Sequence, residues 1–274
     1  MHRDVSLGNI LSCNGHAKLA DLEYAKKRSD LTSHEMQTAS EPPITLSGKS
    51  SIELQQGTMH FMSIEVAAQV FRFHPPERIT VAEFLDRNPG DVGTARTKVP
   101  FSHNHLHDLE SLWWVAVWIV FYNHFEKTET SVTLENIEKQ LKLAQTLFPP
   151  ILGSNTRDLA FQFTFQELCH RLPEDNRPIG VELDLLRRLL ISEYIIVEAK
   201  FPESVDPDSS KDDIYDAFKL VFSGIASNPH DLKLNFIANI RKKLLKSREE
   251  SLKRARSGST NGTGAASASK TARR

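Results

Sequence analysis

The chain has 274 residues, 39% of them hydrophobic and 25% charged, with a formal net charge of −1. That is ordinary globular material for one large domain or two small ones, and it excludes any overall electrostatic pull toward nucleic acid or membrane. Two cysteines, Cys13 and Cys169, make neither a disulfide framework nor a zinc site and fit a reducing compartment. No apolar run reaches membrane-spanning length, and the N-terminus lacks the basic-then-apolar layout of a secretion signal. A soluble intracellular protein, cytoplasmic or nuclear and not secreted, is expected.

The chain opens on MHRDVSLGNIL. ILSC and HAKLA then read as two short strands joined at Asn14-Gly15, since Asn-Gly tolerates the positive φ of a hairpin turn. Residues 26–56 are rich in Ser, Thr, Lys and Pro without sustained periodicity, which predicts a long exposed loop. GTMHFMSIEVAAQV reads as the entry to a short helix, followed by a second polar loop through Pro100. From Asp108 to Phe125, DLESLWWVAVWIVFYNHF carries hydrophobic residues around nearly the full circumference, which predicts a buried central helix. Further helices are predicted over Leu134–Phe148, Thr156–Arg171, Val181–Glu198, Asp212–Ser223 and Asp231 to about Arg254. Beyond Ser257 the composition cannot bury a core and disorder is expected. The expected fold is mainly α: a hairpin and two loops in front of a helical body.

The opening residues carry the chemistry. A carboxylate at Asp4 can accept the proton of an attacking hydroxyl. An amide oxygen at Asn9 and a carboxylate at Asp21 are hard ligands suited to Mg²⁺, and the hairpin between them returns both to one edge. Phosphoryl transfer asks for that set, because it depends mainly on positioning and charge neutralisation.

HRDVSLGN resembles the protein-kinase catalytic loop H-R-D-x-x-x-x-N, and Asp21-Leu22-Glu23 stands where D-F-G is expected. Gly57-Thr58-Met59-His60-Phe61-Met62-Ser63-Ile64-Glu65 is similar to the end of a kinase activation segment. More narrowly, S-x-G-N-I-L, Asp-Leu-Glu and the D-L-E-S-x-W-W helix together resemble the fungal-type protein kinase family. The similarity runs from His2 to roughly Phe125. It implies Asp4 as catalytic base, Arg3 as the arginine that pairs with a phosphorylated activation loop, and Thr58 as a residue that helps to place substrate near Asp4. It implies Asn9 and Asp21 as the ligands of Mg²⁺ with bound ATP. His2, Glu65 and Asp108 become structural supports, Glu65 as the anchor of the activation segment and Asp108 as the holder of the catalytic loop through its backbone. Arg177 is a candidate partner for Glu65.

The fold that the resemblance implies is a protein-kinase-like large (C-terminal) lobe with a small β-hairpin after the catalytic loop, lacking the N-lobe. It divides the chain into a partial kinase domain (1–222), a basic helical extension (223–256) and a Ser/Gly/Ala tail (257–274). Three positions depart from the pattern: Ser6 stands where a lysine is usual, Glu23 where a glycine is, and Ile64 where a proline is. No G-x-G-x-x-G follows, so the ATP-gripping small lobe is expected on a longer product of which Met1 is an internal residue. Without the helix that leads into the catalytic loop, apolar surface around Trp113 is expected to be uncovered, inviting a partner.

The reading is therefore a protein serine/threonine kinase that moves the ATP γ-phosphoryl group to a protein hydroxyl, as a truncated lobe inactive alone. A non-catalytic kinase-like interaction module is the main alternative, and a choline- or aminoglycoside-type small-molecule kinase the lesser one. His103, His105 and His107 in HNHLH have the alternate spacing of metal ligands on a strand, but a solvated approach to the central helix is the expectation. Arg241-Lys242-Lys243 and Lys253-Arg254-Ala255-Arg256 make the C-terminal end basic. Such charge on a terminal helix is ordinarily a solvated face, so neither a nucleic-acid nor a membrane partner is expected.

Overall fold

In the computed structural model, the described residues are 2, 4–14, 16–22, 25, 59–75, 81–85, 101–126, 132–149, 155–200, 211–227 and 233–258. The first long loop (26–56), most of the second (76–80 and 86–100), Arg3, Thr58 and the last sixteen residues lie outside them. A 3-10 turn (Leu7–Asn9) leads into strands β1 (Ile10–Cys13) and β2 (His16–Leu19), paired antiparallel with Ile10 opposite Leu19. Asn14 turns the corner at φ 52°, in the left-handed region that Asn tolerates. Helices α1 (Ile64–Ala68) and α2 (Val81–Leu85) are short.

The central helix α3 (His105–Tyr122) is the hub. Its Trp113, Trp114, Val117 and Phe121 are fully buried, and it packs against α4 (Leu134–Leu147) and α7 (Arg177–Glu198). The expected exposure around Trp113 is corrected here. Trp113 sits edge-on to Phe161 and Phe165, and its indole donates to the Leu183 carbonyl at 2.7 Å. Side chains from distant parts of the chain cover it.

The helix predicted over Thr156–Arg171 is broken into α5 (Thr156–Leu159), a π turn (Ala160–Thr164) and α6 (Phe165–His170). A wide turn loosens the backbone ladder. Arg187 meets the freed carbonyls of Phe161 and Gln162, at 2.6 and 3.4 Å, while pairing with Asp184. Gly180 lets α7 approach α6: a Cβ there would stand 3.1 Å from Cys169 Sγ and from Leu172 Cδ1.

Two strands were not anticipated. The central helix stops at Tyr122, and β3 (Asn123–Glu126) pairs antiparallel with β4 (Lys233–Phe236) across more than a hundred residues. The buried C-terminus of α3 leaves carbonyls without helical donors. Gln140 donates to those of Phe121 and Asn123, and Asn176 to those of Val120 and Asn123. Helix α8 (Lys211–Ser227) packs on α7, and α9 (Ile237–Gly258) packs on α4. Among the described residues no helix is long and apolar enough to cross a membrane.

Candidate functional site

The N-terminal loop is fastened to α3 through its backbone. The His2 N–H donates to Asp108 Oδ2 at 2.6 Å, and His2 Nε2 bonds the Ala20 carbonyl at 3.0 Å. Asp108 stands in the first turn of α3, so the segment before Asp4 is positioned by a buried helix. Asn9 then ties the loop to itself. Its N–H donates to the Ser6 carbonyl at 3.1 Å, and its carbonyl accepts from the Ala20 N–H at 2.8 Å. Its amide Nδ2 donates to the Asp4 carbonyl at 2.9 Å and to Asp4 Oδ2 at 3.0 Å.

Asp4 and Asn9 are therefore joined directly. Asp21 follows Ala20, the residue held by both His2 and Asn9, and takes the left-handed φ of 60° with its side chain exposed. Asp4 Oδ1 is buried and has no hydrogen-bond partner among the described residues. Asp4 also lines a shallow hollow with Val5, Met62, Ser63, Val66, His103 and Ser111. Arg3 and Thr58 lie outside the described residues.

Glu65 sits at the centre of a second, fully buried cluster. Its Oε1 accepts from the Arg72 N–H at 2.5 Å, and its Oε2 lies 3.0 Å from His107 Nε2. His107 Nδ1 accepts the Asn104 N–H at 2.9 Å, closing the N-terminal capping box of α3. With Nδ1 an acceptor, the proton of the neutral ring is on Nε2 and is donated to Glu65. Burial holds the His107 pKa down to about 3, so the contact is a hydrogen bond from neutral imidazole and not an ion pair. The solvated role expected for these histidines is corrected: His107 is a buried cap.

Glu110, one turn along α3, accepts from the Ile64 N–H at 2.8 Å, the Trp114 indole at 2.9 Å and the Tyr194 hydroxyl at 2.9 Å. Glu198, near the end of α7, accepts from the Phe73 N–H at 2.9 Å. Desolvation raises Glu65 and Glu110 to about 7. Glu198 rises further, to about 9, through desolvation and its contact with Glu65. Glu198 Oε1 is buried and has no hydrogen-bond partner among the described residues.

Arg177 does not reach this cluster. It begins α7, whereas Glu198 ends it, about 31 Å away along the axis at 1.5 Å per residue. Arg177 Nη2 instead donates to the Leu172 carbonyl at 3.3 Å. The arginine that fastens the segment before Glu65 is Arg157, which donates to the carbonyls of Met59 at 2.9 Å and Met62 at 2.5 Å. Its guanidinium lies 4.3 Å over the Trp114 ring. Burial lowers its pKa only to about 10, with Glu110 opposing the shift, so it stays charged near neutrality. Nothing local to T-R-D signals this role. Glu110 was not singled out from the sequence, although an acid four residues before Trp114, next to the apolar run of α3, was a usable signal.

Comparison with known proteins adds one finding. No curated protein and no solved structure matches the chain. The family model for fungal protein kinases matches residues 1–120, which contain the loop around Asp4, the Glu65 segment and most of α3. Over those residues, fewer than half of the chain, the sequence is similar to the fungal protein kinase family, the one that its motifs resemble.

Proposed function

We propose that this chain is the large lobe of a protein serine/threonine kinase, in which Asp4 accepts the proton of a protein hydroxyl as that oxygen attacks the γ-phosphorus of ATP. The observation that carries the reading is the state of the Asp4 carboxylate. Asn9 holds one oxygen, the other is unused among the described residues, and Asp4 lines a hollow beside the Glu65 segment. A base needs that combination of fixed orientation and a vacant lone pair.

The donor set fits Mg²⁺. Asn9 uses its amide nitrogen on Asp4, which leaves the amide oxygen as a hard ligand, and the exposed Asp21 carboxylate follows a residue bonded to Asn9. Mg²⁺ held there with ATP would neutralise phosphate charge. The residues of the chain do the rest: His2 and Asp108 fix the loop, Asn9 aims Asp4, and the buried Glu65 cluster with Arg157 fixes the segment that faces it. Thr58, at the start of that segment, is assigned to placing the substrate.

The reading requires a Gly-rich loop and a phosphate-binding lysine, which the sequence does not contain. The lobe alone is therefore assigned no transfer activity, and Mg·ATP should leave its melting temperature unchanged. Assay of the complete open reading frame that encodes this chain tests the assignment. Mg·ATP-dependent phosphate incorporation into a mixed protein substrate should fall 10²–10⁴-fold in Asp4→Asn. Equal incorporation by Asp4→Asn, or none by the parent, would favour the non-catalytic interaction module. That second reading has its own support in the exposed Leu11 and Leu19 of the hairpin. Phosphorylation of choline and of no protein would favour the small-molecule kinase, against which the Gly57–Glu65 segment argues.

A further inference from the structure

The chain just after α1 is fastened by two acids lying side by side. Consecutive N–H groups, of Arg72 and Phe73, donate to Glu65 Oε1 at 2.5 Å and to Glu198 Oε2 at 2.9 Å. Glu65 belongs to α1 and Glu198 ends α7, so the two bonds join these helices through the stretch between them. Phe73 stacks on Tyr194 of α7 at 5.1 Å, and His74 Nδ1 bonds the Glu198 carbonyl at 2.8 Å.

The groups around the pair do little to balance its charge. Glu110 of α3 is a third buried acid, and Tyr194 gives its hydroxyl proton to that one. His107 faces Glu65, but its Nδ1 accepts the Asn104 N–H, so the ring is neutral. His103 lies edge-on to that ring at 4.7 Å, and His105 opposes its protonation. The Arg72 guanidinium turns to Asp158 at 3.1 Å, and Arg157 of α5 meets the carbonyls of Met59 and Met62. Neither guanidinium is therefore paired with Glu65 or Glu198 among the described residues. Glu198 Oε1, buried and without a hydrogen-bond partner among them, would bear charge that no donor answers. Two neighbouring carboxylates in a dry site repel, and a proton on either removes that cost.

We propose that the Glu65–Glu198 pair is a proton-operated latch on the chain after α1, closed while the pair holds a proton and locally open when both acids are ionised. Opening lets Phe71–His74 lift from α7 and loosens α1, whose Val66 lines the hollow with Asp4. As a control on phosphoryl transfer the latch rests on the kinase reading; as a movement of the chain it does not. Burial raises Glu65 to about 7, and burial with the neighbouring Glu65 raises Glu198 to about 9. The closed form is thus fully favoured below the ordinary carboxyl range and gives way as pH rises from 7 to 9.

Amide hydrogen exchange on the 274-residue chain tests the latch without an activity assay, so its failure is distinct from failure of the kinase reading. Overlapping peptides that differ by Arg72 and Phe73 isolate the two amides, with exposure times scaled to hold intrinsic exchange constant from pH 6 to 9. Release of one proton on opening weakens protection by up to about tenfold per pH unit. The two amides should lose about tenfold or more in protection between pH 7 and 9, while those of residues 112–121 in α3 stay protected. Glu198→Gln keeps an oxygen for the Phe73 N–H without the second charge, and its protection should change less than about threefold over that range. Glu110→Gln leaves the pair intact and should keep the parent's pH dependence. Equal protection at pH 6 and 9 in the parent overturns the proposal. So does loss of protection in α3 together with the two amides, which would be global unfolding. Undiminished pH dependence in Glu198→Gln, or its disappearance in Glu110→Gln, would seat the switch on other groups and also overturns it. If Glu198→Gln does not fold, the parent and Glu110→Gln decide.

Discussion

The loop around Asp4 and the cluster around Glu65 both set acids against the N-terminal half of α3, and they treat charge in opposite ways. Asp4 is half-buried, oriented by one amide and left with a vacant oxygen. Glu65 and Glu110 are fully buried, and all four of their oxygens meet backbone N–H groups, an indole, a phenol or an imidazole. A group meant to react needs an unspent lone pair, and a group meant to hold segments together needs none. Rigidity in the buried cluster is what allows the open loop to be so lightly built.

Substitutions that separate chemistry from support sharpen the contrast. The largest effect is expected for Asp4→Asn in the complete open reading frame: transfer lost by 10²–10⁴-fold, with a melting curve close to the parent's, because Asn9 retains an oxygen to bond. A large fall in melting temperature would place Asp4 among the supports. Glu110→Leu should do the reverse. It strands the Ile64 N–H, the Trp114 indole and the Tyr194 hydroxyl, each costing about 1–3 kcal/mol, so urea denaturation should show a loss of several kcal/mol.

The pH dependence of stability breaks or supports the same distinction. Glu65, Glu110 and Glu198 have folded pKa values raised to about 7, 7 and 9, so the folded state binds more protons than the unfolded one. Their contribution is complete below the ordinary carboxyl range and is lost as pH rises through 7 to 9. Neutral His107, held at about 3, acts oppositely: its contribution is complete above the ordinary imidazole range and is lost as pH falls toward 3. Stability should therefore peak on the acid side of neutrality and decline from pH 6.5 to 9, measured as melting temperature against pH. Glu110→Gln should reduce the slope of that decline. A flat profile from pH 6.5 to 9 would mean that the cluster is ionised and compensated. The smallest effect is expected on the hairpin, where Leu11→Thr on an exposed strand should change stability by less than about 0.5 kcal/mol.

Much of the architecture was legible because its causes are local. Asn14-Gly15 specifies a turn, and the unbroken hydrophobicity of residues 112–121 specifies a buried helix wherever it is placed. The β3 and β4 pairing was hidden because neither strand is stable without the other, and they lie far apart in the chain. The π turn was hidden because its carbonyls are met by Arg187, a residue that α7 delivers. The candidate residues Asp4, Asn9 and Asp21 could be named from spacing and chemistry. The supporting ones divided unevenly. Asp108 and Glu65 were named with their motifs, whereas Arg157, Tyr194 and Glu198 carry no local mark, and the pairing first considered for Arg177 fails on the length of α7.

By itself the sequence determined which residue types stand at which spacings, hence the candidate residues Asp4, Asn9 and Asp21, and which segments would coil or turn, since both follow from residue type and short-range spacing. Tertiary structure decided which of those groups are spent on holding the fold and which stay vacant. Proton affinity and hydrogen-bond satisfaction depend on neighbours brought from 40 to more than 100 residues away, as with Glu65 on His107, Glu110 on Tyr194 and His2 on Asp108.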